Sequence, residues 1–156
     1  MGMYAKETAV SPAKSQQEIT TMLRRYGCVG FGVYEQASQG AVGFELINGI
    51  AVRMTITLPR CSEFESFVRR GRMKTRTAEA ARRAWEQAVR QRWRALALAI
   101  KAKLECVECG ISTVEQEFMP WVVMPDGQTL GQHVTPRLAA MAKDGQLPKL
   151  LTATAG

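Results

Sequence analysis

From residue 77 to residue 109 the chain runs through 33 positions without proline or glycine, and alanine is abundant among them. A stretch of that length is too long for a strand and suits a helix, because alanine has the highest helix propensity and both breakers are absent. Trp85, Val89, Trp93, Leu96, Ile100, Leu104 and Val107 are spaced 4, 4, 3, 4, 4 and 3, which tracks a 3.6-residue turn. Gly110 stands where a residue terminating the helix belongs. The helix would be about 48 Å long at 1.5 Å per residue. Arg83, Arg90, Arg94 and Lys101 fall on a second face about 115° from the apolar one. Arg76 would join them if the helix started early. A helix with one apolar and one basic side must have the rest of the fold built on its apolar side.

The segments before it supply that partner. Ser11-Pro12 reads as a helix start, with Ser15 and Glu18 as a second, later capping box. Ile19, Met22, Leu23 and Tyr26 make one apolar stripe, and Gly27 ends it. From Cys28 to Leu58 the period changes to alternation: Val29, Phe31 and Val33, then Val42, Phe44 and Leu46, then Val52, Met54, Ile56 and Leu58. Ser38-Gln39-Gly40 and Asn48-Gly49 separate the runs, and Asn-Gly between alternating runs is a hairpin signature. These runs predict a three-stranded antiparallel meander. A two-residue Asn48-Gly49 loop would set Phe44 opposite Arg53 and turn the apolar sets of two strands to opposite faces. Either the loop has three residues and a bulge, or both faces of the sheet are covered, which would favour an oligomer.

After Pro59, residues 60–76 show no sustained period and read as a flexible basic loop. Beyond the long helix, Ser112 with Glu115 predicts a capping box for a short helix through about Met119. Trp121 to Met124 reads as strand or helix end, Pro125-Asp126-Gly127 as a turn, and Pro136 to Lys143 as a last short helix. Residues 151–156 read as a mobile tail. The expected fold is α+β, a single domain over residues 1–156. An N-terminal helix and a three-stranded antiparallel meander precede a long basic amphipathic helix and short C-terminal helices.

Charge gives the first functional indication. Residues 60–103 hold 13 Lys and Arg against 4 Asp and Glu, while the rest of the chain holds 8 against 10. All of the positive excess therefore lies in one segment, the pattern of a protein with a polyanionic partner. Ten of those 13 cations are arginine, whose planar fork suits phosphate. Arg69, Arg70, Arg72 and Lys74 in the loop, with Arg83, Arg90, Arg94 and Lys101 on the helix, are the candidate nucleic-acid or anion contacts. Phe64 and Phe67, in the loop, are candidate base-stacking groups, and stacking favours single strands. Trp85 and Trp93 lie on the apolar stripe and read as core. Gly71 between Arg70 and Arg72 would let the loop adapt to a backbone.

Other chemistry finds little support. Cys106 and Cys109 form the sole C-x2-C, with Cys28, Cys61 and His133 isolated, so no metal site is expected. No Walker, dinucleotide, G-x-S-x-G or H-E-x-x-H motif occurs, and the reading is non-catalytic and without a cofactor. No apolar run approaches a membrane span and no signal-like segment opens the chain, which predicts a cytoplasmic protein with no membrane partner.

Residues 85–98 (Trp-Glu-Gln-Ala-Val-Arg-Gln-Arg-Trp-Arg-Ala-Leu-Ala-Leu) resemble a family of small proteins encoded by bacteriophages and prophages. So do Ile100 to Glu105, Val123 to Gly127 and Met3 to Thr8, and the resemblance covers about residues 3–151. It implies one of two phage roles, handling DNA or blocking a host defence, with expression in the cytoplasm of a bacterial host. The element order also resembles the core of Rad52-type single-strand annealing proteins, a likeness of arrangement only. It implies a ring-forming homo-oligomer that holds single-stranded DNA in a basic groove.

Three functions follow. The first is non-catalytic binding of nucleic acid, single-stranded DNA preferred, as an annealing or recombination accessory. The second is counter-defence, by inhibiting a host immune complex such as CRISPR or sequestering a nucleotide signal. The third is a structural or assembly part of a virion.

Overall fold

The computed structural model describes residues 5–146, and the predicted mobile tail at 151–156 lies outside them. The architecture is α+β, as the sequence predicts. Helix α1 (Pro12–Tyr26) leads into strands β1 (Gly30–Gln36), β2 (Gln39–Glu45) and β3 (Ala51–Thr57). These form one antiparallel sheet in the order β1-β2-β3. A short 3-10 turn (Cys61–Phe64) and a hairpin of β4 (Ser66–Arg69) and β5 (Arg72–Thr75) precede the long helix α2 (Ala78–Glu108). Helices α3 (Val114–Phe118) and α4 (Leu130–Lys143) follow, separated by a 3-10 turn at Met119–Trp121.

Both major helices end where local chemistry stops them. The Ser11 hydroxyl accepts the Lys14 amide with Pro12 in the first turn, so α1 starts at the earlier of its two candidate caps. At its end Gly27 takes φ 88°, and the Cys28 amide reaches back to the Leu23 carbonyl. Helix α2 is capped by Thr77, whose hydroxyl accepts the Ala80 amide at 3.2 Å. Gly110 takes φ 72° at its other end, where the Gly110 and Ile111 amides return to the Val107 and Cys106 carbonyls. Because the Thr77 cap is exposed and local, Thr77→Ala is expected to destabilise the protein by about 1 kcal/mol. Urea unfolding of the two proteins measures this directly.

The Asn48-Gly49 hairpin resolves in favour of the three-residue loop. Leu46 exchanges with Ile50 through its amide, and its carbonyl accepts the Gly49 amide at 2.9 Å. Gly49 sits at φ 81°, the left-handed position such a loop requires. Phe44 therefore pairs with Val52 and Val42 with Met54, so the apolar sets share one face. With this register the apolar sets of β2 and β3 do not require cover on both faces of the sheet. Gly40, expected in a turn, lies inside β2 opposite Ile56, and Val29 precedes β1 and is exposed.

One face of the sheet carries the core. Val42, Phe44, Val52 and Met54 pack with Ile19 and Leu23 of α1 and with Val89, Trp93, Leu96, Ile100 and Leu104 of α2. The predicted stripes of both helices are thus the buried ones, with Trp85 half-buried and its indole N–H bonded to the Pro59 carbonyl at 2.8 Å. Phe118 closes the far end, fully buried, its ring edge-to-face with Phe44 at 5.2 Å. Beside it the Ser112 hydroxyl bonds the Glu117 carboxylate at 2.6 Å, and with Lys103 holds that carboxyl below its ordinary range.

The C-terminal third differs from expectation in two places. The capping box of α3 is Thr113 with Gln116, one residue later than Ser112 with Glu115. Helix α4 starts at Leu130 rather than Pro136, because Thr129 and Gln132 form a capping box there and Pro136 falls in the interior. Val122 and Val123 make single bridges, to Val52 and Thr129 respectively. Gly127 at φ 82° completes the turn expected at Pro125-Asp126-Gly127.

Candidate functional site

Residues 60–76, expected as a loop, hold the 3-10 turn and the β4–β5 hairpin. Arg70 and Gly71 both take positive φ, 51° and 72°, and make a two-residue turn that joins β4 to β5. Such a turn matches the right-handed twist of the paired strands. Arginine is rarely found at positive φ, so this turn lacks the Asn-Gly or Asp-Gly signature that reveals one in sequence. The pairing sets Phe67 opposite Lys74 and Arg69 opposite Arg72, with Val68 opposite Met73 on the reverse side. Alternation then places Arg69, Arg72 and Lys74 on one face with Phe67, and Arg70 at the tip.

Four cations thus stand within six residues, and there is no acidic residue from 66 to 78. All four are exposed, and among the described residues none forms an ion pair. An isolated two-stranded hairpin is marginal in water, so something must hold its base. Arg76 does this, a role not anticipated from its place just before the helix. Its amide donates to the Glu65 carbonyl at 2.7 Å and its guanidinium to the Phe64 carbonyl at 3.0 Å. The guanidinium also lies 4.4 Å from the Phe67 ring centroid.

That clamp corrects the expectation for the two phenylalanines. Phe64 lies in the 3-10 turn, and both rings are half-buried. One face of Phe67 is covered by Arg76, and both rings are less open to stacking than the sequence predicts.

The helix cations divide differently from the predicted face. Helix α1 packs alongside α2 on the same side of the sheet, and the supposed basic side of α2 partly faces it. Arg94 is half-buried and paired with Glu18 of α1. Arg90 donates twice to the Gln87 side chain, at 2.7 and 3.1 Å, and Gln87 in turn bonds the Lys6 and Thr8 carbonyls. Arg83 is exposed and paired with Glu79 one turn earlier. Lys101 is exposed and stands about 27 Å along the helix from Arg83, far from the hairpin cluster. Of the eight predicted contacts, the structure brings Arg69, Arg70, Arg72 and Lys74 together. Arg83 lies five residues past the start of α2, on the helical turns nearest the hairpin.

Among the described residues, no three His, Cys, Asp or Glu side chains stand close enough to hold a metal ion. Cys61 and Cys109 are exposed, and burial pushes the Cys28 thiol above its ordinary value. His133 Nε2 lies 2.8 Å from the exposed Asp126 carboxylate. Among the described residues no helix is long and apolar enough to cross a membrane.

No family model, curated protein or solved structure matches the chain, so the geometry of the hairpin carries the functional reading.

Proposed function

We propose that this chain is a non-catalytic nucleic-acid-binding protein whose β4–β5 hairpin grips the phosphate backbone. The observation that carries the reading is the set of four exposed, unpaired cations on a hairpin anchored by Arg76. Arg94 is consumed by Glu18, and Arg76 by the Phe64 carbonyl and the Phe67 ring, whereas these four have no ion-pair partner among the described residues. A two-stranded ribbon is also narrow enough to enter the major groove of a duplex. Base stacking that would favour single strands needs open Phe64 and Phe67 rings, and with both half-buried the backbone contacts alone predict little preference.

Counter-defence is the second reading, favoured by Val68 and Met73. They are 68% and 73% exposed on the hairpin side away from Arg69, Arg72 and Lys74. Phosphate binding has no use for such a pair, whereas docking into an acidic groove of a host protein complex does.

Fluorescence anisotropy with labelled single-stranded and duplex oligonucleotides of equal length separates the two. The nucleic-acid reading expects both to bind, with affinities within about threefold of each other. Absence of binding to either overturns it and leaves an acidic protein partner as the leading account.

A further inference from the structure

We propose that helix α4 of one copy of this chain lies across the uncovered sheet face of a second copy, each copy covering the other. None of the 14 residues of α4 is buried. Leu130, Val134, Leu138 and Met141 nevertheless recur at helical spacing, and the last three are 39%, 48% and 38% exposed. A lone helix of this length with an interior proline is marginal in water, so its apolar stripe needs a covering surface.

The sheet face turned away from α1 and α2 is the matching surface. Its floor holds Gly30, Gly32, Ala41, Gly43 and Ala51 beside the larger Tyr34 and Arg53, the latter turned aside to the Gly127 carbonyl, and an open depression of about 920 Å³ lies over it, bounded on one side by the chain's own residues 121–132. The chain itself does not require those glycines. A Cβ at Gly30 or Gly32 would meet nothing within 4 Å, and one at Gly43 only the Val52 carbonyl at 3.8 Å. Glycine weakens a strand and marks places where another backbone approaches closely.

Size and charge point to a second copy as the occupant. Seven-residue strands span about 23 Å, and 14 helical residues about 21 Å. Two such faces covered reciprocally, counted on both partners, come to about 1,300 Å², within the range of specific interfaces. Reciprocal exchange closes as a two-fold dimer rather than a filament. Arg137 borders the α4 stripe and Glu45 lies on the sheet face, and neither has an ion-pair partner among the described residues. This pairing is independent of what the hairpin binds.

Sedimentation velocity of the full chain, of Leu138→Glu and of Gly32→Val tests it. Gly32 has open space and no positive φ, so valine there fits the single chain and raises strand propensity, while it fills the docking floor. The expected result is a wild-type dimer at micromolar concentration, with dimerisation weakened at least tenfold in both variants and melting of Gly32→Val no lower than wild type. A monomeric wild type overturns the proposal, as does a dimer that survives either substitution. Loss in Leu138→Glu alone would mean that α4 pairs with something other than the sheet.

Discussion

Replacing Arg69, Arg72 and Lys74 together by alanine is expected to reduce nucleic-acid affinity by roughly 100- to 1,000-fold at low salt. It should also flatten the dependence of log K on log salt by about three units, because each phosphate contact releases roughly 0.9 counterion. The three side chains share one face of the hairpin, and no residue from Ser66 to Thr75 is buried, so the substitutions should leave the melting temperature unchanged. Arg90→Ala combined with Arg94→Ala should do the reverse. Affinity and salt slope should stay near wild type, while stability falls by about 1 kcal/mol through loss of the Arg94–Glu18 pair and the Arg90–Gln87 bonds. Anisotropy and urea unfolding on the same four-protein panel (wild type, the hairpin triple, the helix double and their combination) read both effects. An unchanged slope in the hairpin triple would place the interface elsewhere.

Gly40→Ala is expected to destabilise the protein by about 1–3 kcal/mol, as overpacking does. A Cβ at Gly40 would stand 2.6 Å from Trp93 Cζ2 and 3.1 Å from Ile56 Cγ1. Trp93 is fully buried at the centre of α2 and cannot move aside. Trp93→Ala removes that ring altogether and should cost about 3–5 kcal/mol. In a Trp93→Phe background, Gly40→Ala should cost at least about 1 kcal/mol less than in wild type, since phenylalanine lacks the second ring that the methyl meets. Phenylalanine also removes the buried indole N–H, which has no hydrogen-bond partner among the described residues. Strict additivity across this cycle, measured by urea unfolding, would show that the close approach does not seat α2 on the sheet. That seating matters for the site, because Trp85 on the same stripe bonds Pro59 just before the hairpin segment.

The parts of the fold governed by local chemistry were legible. Both ends of α1 and the far end of α2 follow from Ser11-Pro12, Gly27 and Gly110, and their buried stripes from period alone, whereas the Thr77 cap emerges only in the structure. The meander was legible apart from its register, where the three-residue loop was one of two readings and Gly49 decided it. The hairpin was hidden for two physical reasons. Both of its faces are largely exposed, so it carries no apolar alternation, and its turn uses arginine at positive φ. The candidate site was half legible for a related reason. Helical period gives the angle between the apolar and basic sides of α2, but not that α1 lies along the basic one and engages Arg94. Pro136 misled because proline at the start of a helix and proline within one look alike until the Thr129–Gln132 capping box is seen.

The central claim is that exposed hairpin cations neutralise phosphates, and the salt dependence of binding by the wild-type protein tests it most directly. Anisotropy titrations of a labelled duplex across a series of salt concentrations should give a log–log slope of about −3 to −4, one unit per hairpin cation. A slope near zero, or no binding at the lowest salt, would contradict the account.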